Sequence, residues 1–182
     1  TDQPERYIEE RLAAVRETEA SLKIQEMRDG RVIAITHRPM SNGGWLATHD
    51  DVTERHRTEA RIVHMAHHDA VTDLPNRALL RERIANALVA STRTGQPFAV
   101  LVLDLDRFKE VNDTLGHSVG DELLRQVGRR LSAAVDDRDV VAHLGGDEFV
   151  IVRVAEDAVA DAAGLAKRMQ EAVGEAFDLD GH

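Results

Sequence analysis

The 182-residue chain contains no cysteine, which excludes a disulfide framework and any thiolate metal site. That suits a reducing compartment, and the cytoplasm is the expected location. Aromatic residues make up only 3% of the chain, so its cores have to be assembled from Leu, Val, Ile and Ala. The single tryptophan, Trp45, is expected inside such a core rather than as a platform for a ligand. No apolar run approaches the ~20 residues needed to cross a bilayer, and the opening Thr-Asp-Gln-Pro-Glu-Arg is no signal peptide. The chain also lacks an initiating Met, as expected of a piece of a longer protein. Positive charge is in deficit: 23 Lys and Arg face 33 Asp and Glu, a net charge of −10. A nucleic-acid-coating surface would cluster Lys and Arg, so that class is not expected. A nucleotide ligand stays possible, because a divalent ion can stand between carboxylates and phosphates.

What is present divides into three stretches. Residues 4–19 read as a polar helix with Pro4 in its first turn. Three strand-like runs follow, Ser21 to Met27, Arg31 to Pro39 and Trp45 to His49, joined by turns at Asp29-Gly30 and Ser41-Asn42-Gly43-Gly44. Three strands and a helix make a thin core, so residues 1–49 read as the back end of a module. Residues 50–67, "DDVTERHRTEARIVHMAH", carry Ile62, Met65 and Ala66 on one stripe of a charged linker helix. His64, His67 and His68 have a spacing that can bind metal on a helix, but with no acid or Cys close in sequence they are expected on its surface. From residue 68 a second domain begins. Its first helix should open at Pro75, with Leu80, Ile84, Ala87 and Leu88 on its apolar face. Phe98 to Leu103 is a continuous apolar run, expected to be a buried strand. A short helix is expected from about Arg107 to Thr114. Next come a longer helix with Leu124, Val127 and Leu131, then a hairpin. A last helix carries Ala162, Ala166, Met169 and Val173. The order α, β, α, α, β, β, α predicts an α+β sheet with packed helices.

Two carboxylates stand at strand ends in that order. Asp104 closes the apolar run, and Asp147 follows Gly145-Gly146 at the hairpin tip in "LGGDEF". If the two strands are neighbours, both acids meet at one edge of the sheet. Converging hard oxygen ligands beside water suit Mg2+ or Mn2+, which neutralise phosphate charge and lower the pKa of an attacking hydroxyl. The glycines allow close approach of a ligand to the backbone. A polar turn and a strand-ending Asp are the plain alternative.

The stretches "DLDRFKEVNDTLGHSVGDELL", "LGGDEF" and "HHDAVTDLPNR" occur in this order and together resemble the GGDEF family of diguanylate cyclases. The resemblance runs from about His67 to His182. It implies a sheet like the palm of nucleotidyl cyclases and polymerases. The implied reaction is a metal-dependent nucleotidyl transfer that condenses two GTP, one on each half of a homodimer, into cyclic di-GMP. By the resemblance, Asp104, the Leu105 carbonyl and Asp147 hold the metal, and Asp147 is the base for the 3′-hydroxyl. Glu148 is the second acid needed for activity, and Lys109 lies near the phosphates. Asn112 and Asp121 read guanine, with Phe108, His117, Gly145 and Gly146 lining the same pocket. The donor and acceptor chemistry of Asn and Asp fits guanine. Each residue also has a plain reading: Lys109 as a solvated lysine, Asn112 as a helix cap, Asp121 as a first-turn acid. The front stretch, ending in "DVTER", resembles the C-terminal part of a PAS sensor module, and no sensory cofactor is implied.

Three departures stand out. Where the family often carries an inhibitory Arg-x-x-Asp, this chain reads Asp136-Asp137-Arg138-Asp139, so product inhibition through that stretch is not expected. Two residues before the glycine pair, where the family usually has arginine, stands His143, a group that titrates near neutrality. Weak or pH-sensitive activity is the expectation. The family's further strand, helix and basic phosphate-gripping pair are not found before His182, so the stretch 68–182 reads as a domain lacking its C-terminal part, with little activity alone. A GTP-binding module that regulates an adjacent cyclic di-GMP phosphodiesterase domain is the alternative function. No nucleic-acid partner and no membrane segment are expected.

Overall fold

A computed structural model describes residues 20–41 and 44–179. The expected helix over 4–19 and the centre of the Ser41 to Gly44 turn lie outside them. The chain separates into two compact units between Ile62 and Val63.

The first unit is an antiparallel meander of β1 (Ser21–Glu26), β2 (Val32–Pro39) and β3 (Trp45–Asp51), with β2 central. The β1–β2 turn is held by Asp29, whose carboxylate accepts from the Arg31 backbone and pairs with its guanidinium at 2.8 Å. Val32, Ala34 and Ile35 of β2 are buried. Trp45 is not: it lies half exposed at the start of the edge strand β3, its ring tilted against His37 with centroids 5.5 Å apart. The strand also runs two residues past His49. Helix α1 (Thr53–His67) therefore starts three residues later than residue 50. Asp51 accepts from the Thr53 backbone at 3.0 Å and from its hydroxyl at 2.6 Å, an Asx turn just ahead of the helix.

The second unit runs α2 (Arg77–Thr94), β4 (Phe98–Asp104), α3 (Phe108–Leu115), α4 (His117–Ala133), β5 (Val140–Gly145), β6 (Glu148–Val154) and α5 (Ala162–Gly174). This is the α+β order expected from the sequence. Helix α2 opens after Asn76, whose side chain accepts from the Ala78 and Leu79 amides. Pro75 stays outside, bridged to His68 as an isolated β pair. The helix closes on Gly95 at φ 75°, a left-handed position that favours glycine.

The sheet order is β4-β6-β5, all antiparallel. Central β6 is buried on both faces. Phe149 and Ile151 pack with Leu124, Val127, Leu131, Leu165 and Met169 of α4 and α5. Val150 and Val152 pack with Ala142 and with Leu80 of α2. Burying each such side chain contributes about 1.5–3 kcal/mol. The two-sided burial explains the unbroken apolar run from Phe149 to Val152 in β6. Strand β4 has the same kind of sequence but a different fate. It lies at an edge of the three described strands, and Val102 is 68% exposed. Leu101 and Leu103 pack against one core cluster and Phe98 against the other. Leu88 on α2 is also exposed, because α2 meets the sheet on the narrower line through Leu80, Ile84 and Ala87.

Candidate functional site

Register brings the two strand-end acids together. In the β4–β6 pair, Leu103 faces Phe149 and Asp104 faces Glu148. Across the hairpin, Gly145 pairs with Glu148, leaving Gly146 and Asp147 as a two-residue turn. Gly145 has φ 104° and Gly146 φ 64°, and glycine at the first turn position with positive φ is what a tight hairpin of this kind requires. A Cβ at Gly145 or Gly146 would meet nothing within 4 Å, so their faces are open to a ligand. The Leu105 amide donates to the Asp147 carbonyl at 3.1 Å, tying the end of β4 to the turn.

The electrostatics of this edge are those of crowded carboxylates. Asp147 first, then desolvation, then Glu148 and Asp106 hold the Asp104 carboxyl above its ordinary range. The Arg77 guanidinium approaches Glu148 at 3.9 Å across exposed surface. Among the described residues no group of three His, Cys, Asp or Glu is gathered closely enough to hold a metal by itself. Two carboxylates and a backbone carbonyl still fit Mg2+ or Mn2+, which usually keep waters and take oxygens from a bound phosphate. A divalent ion there would relieve the mutual repulsion that raises Asp104.

After Asp104 the chain turns sharply. Arg107 takes the left-handed φ of 62° before α3 begins, a conformation uncommon for a residue other than glycine. The Phe108 ring is buried in the core beside Leu124, anchoring α3, while its amide donates to the Leu105 carbonyl at 3.2 Å. That leaves the carbonyl one lone pair. Lys109 follows, exposed at the start of α3. Asn112 sits on the same helix, packed against Gly120 of α4: a Cβ at Gly120 would overlap its Oδ1. Asp121 is the next residue on α4, and His117 is the exposed first residue of that helix. An open groove of about 570 Å³ runs along β4 and α5 and ends at Asp104 and Asp106.

His64 of α1 is exposed and stacks on His68, just past the helix end, with ring centroids 4.0 Å apart; His67 and His68 are partly buried. An acid does lie near them, Asp73, whose Oδ1 is 2.6 Å from His64 Nε2.

Residues 66–182 match the family model described as "Diguanylate cyclase, GGDEF domain". The chain belongs to the GGDEF family. Residues 1–60 match a PAS fold. Among GGDEF relatives, the bifunctional diguanylate cyclase/cyclic di-GMP phosphodiesterase MucR of Pseudomonas aeruginosa is 42% identical over 126 residues, covering 69% of this chain and 18% of that protein. Diguanylate cyclase TpbB of the same species is 43% identical over 107 residues, covering 59% of this chain and 25% of the relative. The chain thus spans a quarter or less of these relatives. The crystal structure of a sensory box/GGDEF family protein from Caulobacter crescentus superposes with a TM-score of 0.61 at 44% identity, covering 64% of this chain and 75% of the other. The fold of residues 66–179 is accordingly the GGDEF palm-like sheet with packed helices.

Within this GGDEF domain, sequence reasoning passed over three residues. Gly120 is one, its only signal being the second glycine of "GHSVGD". Arg77, reaching Glu148, is another. The third is Asp69, which holds the ring of His143 from 74 positions away in sequence.

Proposed function

We propose that this chain supplies a catalytic half-site of a diguanylate cyclase, which joins two GTP molecules into cyclic di-GMP in the cytoplasm, where GTP is supplied. Asp104, Asp147 and the free lone pair of the Leu105 carbonyl would hold Mg2+ or Mn2+. The ion would supply charge neutralisation at the phosphates and a lowered pKa for the attacking hydroxyl. The protein's own part is to hold, orient and take a proton. Asn112 donates to a guanine acceptor and Asp121 accepts from its N–H groups. Lys109 offsets charge that grows on the phosphates in the transition state. Gly145 and Gly146, without side chains, let the nucleotide lie against the turn. His117 and the Phe108 amide border the same pocket, and Glu148 completes the acidic edge. Asp147 is placed to accept the proton of the 3′-hydroxyl. One half-site activates one hydroxyl, so two copies facing each other are needed to close the ring.

The observation that carries this reading is the register that pairs Asp104 with Glu148 at the end of β4, beside Asp147 in the glycine turn. Asp147→Asn tests it. Cyclic di-GMP formation from GTP and Mg2+ should fall by at least ~100-fold, the usual cost of removing an electrostatic group from a transition state. Mn2+ affinity should fall with it, and the far-UV circular dichroism should not change. A variant as fast as its parent would falsify the assignment.

A further inference from the structure

His143 is buried, and both of its ring nitrogens face oxygen. Nδ1 lies 2.9 Å from Asp69 Oδ1, and Nε2 lies 3.2 Å from the carbonyl of Gly146. A backbone carbonyl only accepts, and so does an ionised carboxylate. Asp69 is ionised in this setting. Burial opposes its charge, but the Thr72 amide, the His143 ring and the Thr72 hydroxyl outweigh that and hold its carboxyl below the ordinary range. A neutral imidazole has one N–H and would leave one of the two oxygens facing a lone pair. Only the doubly protonated ring donates to both.

The position of the second contact gives it a purpose. The Gly146 carbonyl belongs to the peptide unit just before Asp147. That unit follows two glycines at positive φ, so side-chain sterics impose little on its orientation. Two hydrogen bonds supply what sterics do not: the His143 ring on the Gly146 carbonyl, and the Leu105 amide on the Asp147 carbonyl at 3.1 Å. Asp147 is therefore clamped on both sides. The ring itself is fixed by tilted packing on Phe149, centroids 4.7 Å apart, and its backbone amide donates to the Pro75 carbonyl at 3.0 Å.

We propose that His143, charged and anchored by Asp69, is a positioning residue that orients the Gly146–Asp147 peptide of the signature turn. This deepens the cyclase reading and rests on it for its consequence in turnover. Arginine, the residue the family resemblance places here, has donors enough to serve both oxygens. Glutamine can reach only one of them well.

The test combines His143→Gln, His143→Arg and Asp69→Asn. Asp69→Asn keeps an oxygen for the Thr72 amide while removing the charge, which guards against a variant that simply fails to fold. The amide resonances of Gly146 and Asp147, followed by 1H–15N NMR without nucleotide, should move in His143→Gln and in Asp69→Asn and return towards the parent in His143→Arg. In turnover, kcat should fall about tenfold or more in His143→Gln, the usual size for a lost charge-assisted hydrogen bond. KM should stay within about twofold, and His143→Arg should restore the rate. The double variant with Asp69→Asn should be no slower than the slower single one. Unmoved Gly146 and Asp147 resonances in His143→Gln would overturn the proposal, as would a loss that arginine does not rescue. An unsubstituted protein carrying the whole GGDEF domain that makes no cyclic di-GMP would count against the cyclase reading, with the resonances still deciding the role of His143.

Discussion

Arg153 collects four carboxylates. It lies on β6, and its Nη1 is 3.3 Å from Asp136 and 3.4 Å from Asp139, while Nη2 is 3.5 Å from Asp157 and 3.7 Å from Asp161. Desolvation works against its charge, but Asp139 and Asp157 outweigh it and push its pKa further up. Its Nε is buried without a hydrogen-bond partner. The four acids are not equivalent, since the Asp139 side chain is 2% exposed and that of Asp136 76%. A buried carboxylate that loses its cation costs about 3–5 kcal/mol, whereas an exposed pair is worth about 0–1 kcal/mol. Arg153→Ala should therefore cost about 3 kcal/mol or more in urea unfolding, and Asp136→Ala less than about 1 kcal/mol. Equal losses would show that the burial of Asp139 does not govern the network. The same geometry turns Asp136 and Asp139 towards Arg153, in the stretch where the family resemblance expects an arginine offered to product.

Helices α3 and α4 meet at Asn112 and Gly120. A Cβ on residue 120 would overlap the Asn112 Oδ1 and lie 2.9 Å from its Cγ. A side chain cannot share that space, so Gly120→Ala has to turn Asn112 away from the pocket. The substitution favours the helix itself by about 0.8–1 kcal/mol, which offsets part of the strain. GTP affinity, read by titration with a fluorescent guanine nucleotide, should therefore drop by about tenfold or more while the melting temperature changes little. That drop matches the loss of one well-made hydrogen bond to the base. Unchanged nucleotide affinity would remove Asn112 from the list of guanine contacts. A large fall in melting temperature with normal affinity would make the contact one of packing.

At the scale of the molecule, α1 offers an uncovered apolar stripe. Ile62 is 61% exposed and Met65 66%, on a helix otherwise rich in charge. No described helix is long and apolar enough to cross a membrane. Two such stripes packed together would form a narrow seam of the kind that pairs helices and would bring two half-sites into one assembly. Ile62→Glu combined with Met65→Glu should shift sedimentation towards the monomer and lower cyclic di-GMP formation in the same proportion. The loss of rate should recover as protein concentration rises. Sedimentation identical to that of the parent would place the dimer contact on another surface.

The order of elements was legible in the chain because local periodicity and turn residues report local structure. Leu124, Val127 and Leu131 share one helix face at any tertiary arrangement, and a glycine pair between two apolar runs marks a hairpin tip. The same is true of Asp104 and Asp147 as strand-end acids, and the motifs around them identify the family without a structure. What the sequence leaves open is which elements become neighbours. β4 and β6 carry equally apolar runs, and only the order β4-β6-β5 makes one central and leaves Val102 in water. Trp45 reads as core by its chemistry and is half exposed at the start of β3, an outer strand of the described meander. The facing of Asp104 and Glu148, the fit of Asn112 against Gly120 and the hold of Asp69 on His143 are likewise products of packing. The physical reason is one of range. Backbone conformation follows from a residue and its neighbours within a few positions, but burial, charge pairing and steric exclusion depend on partners that only the folded chain brings within a few ångströms.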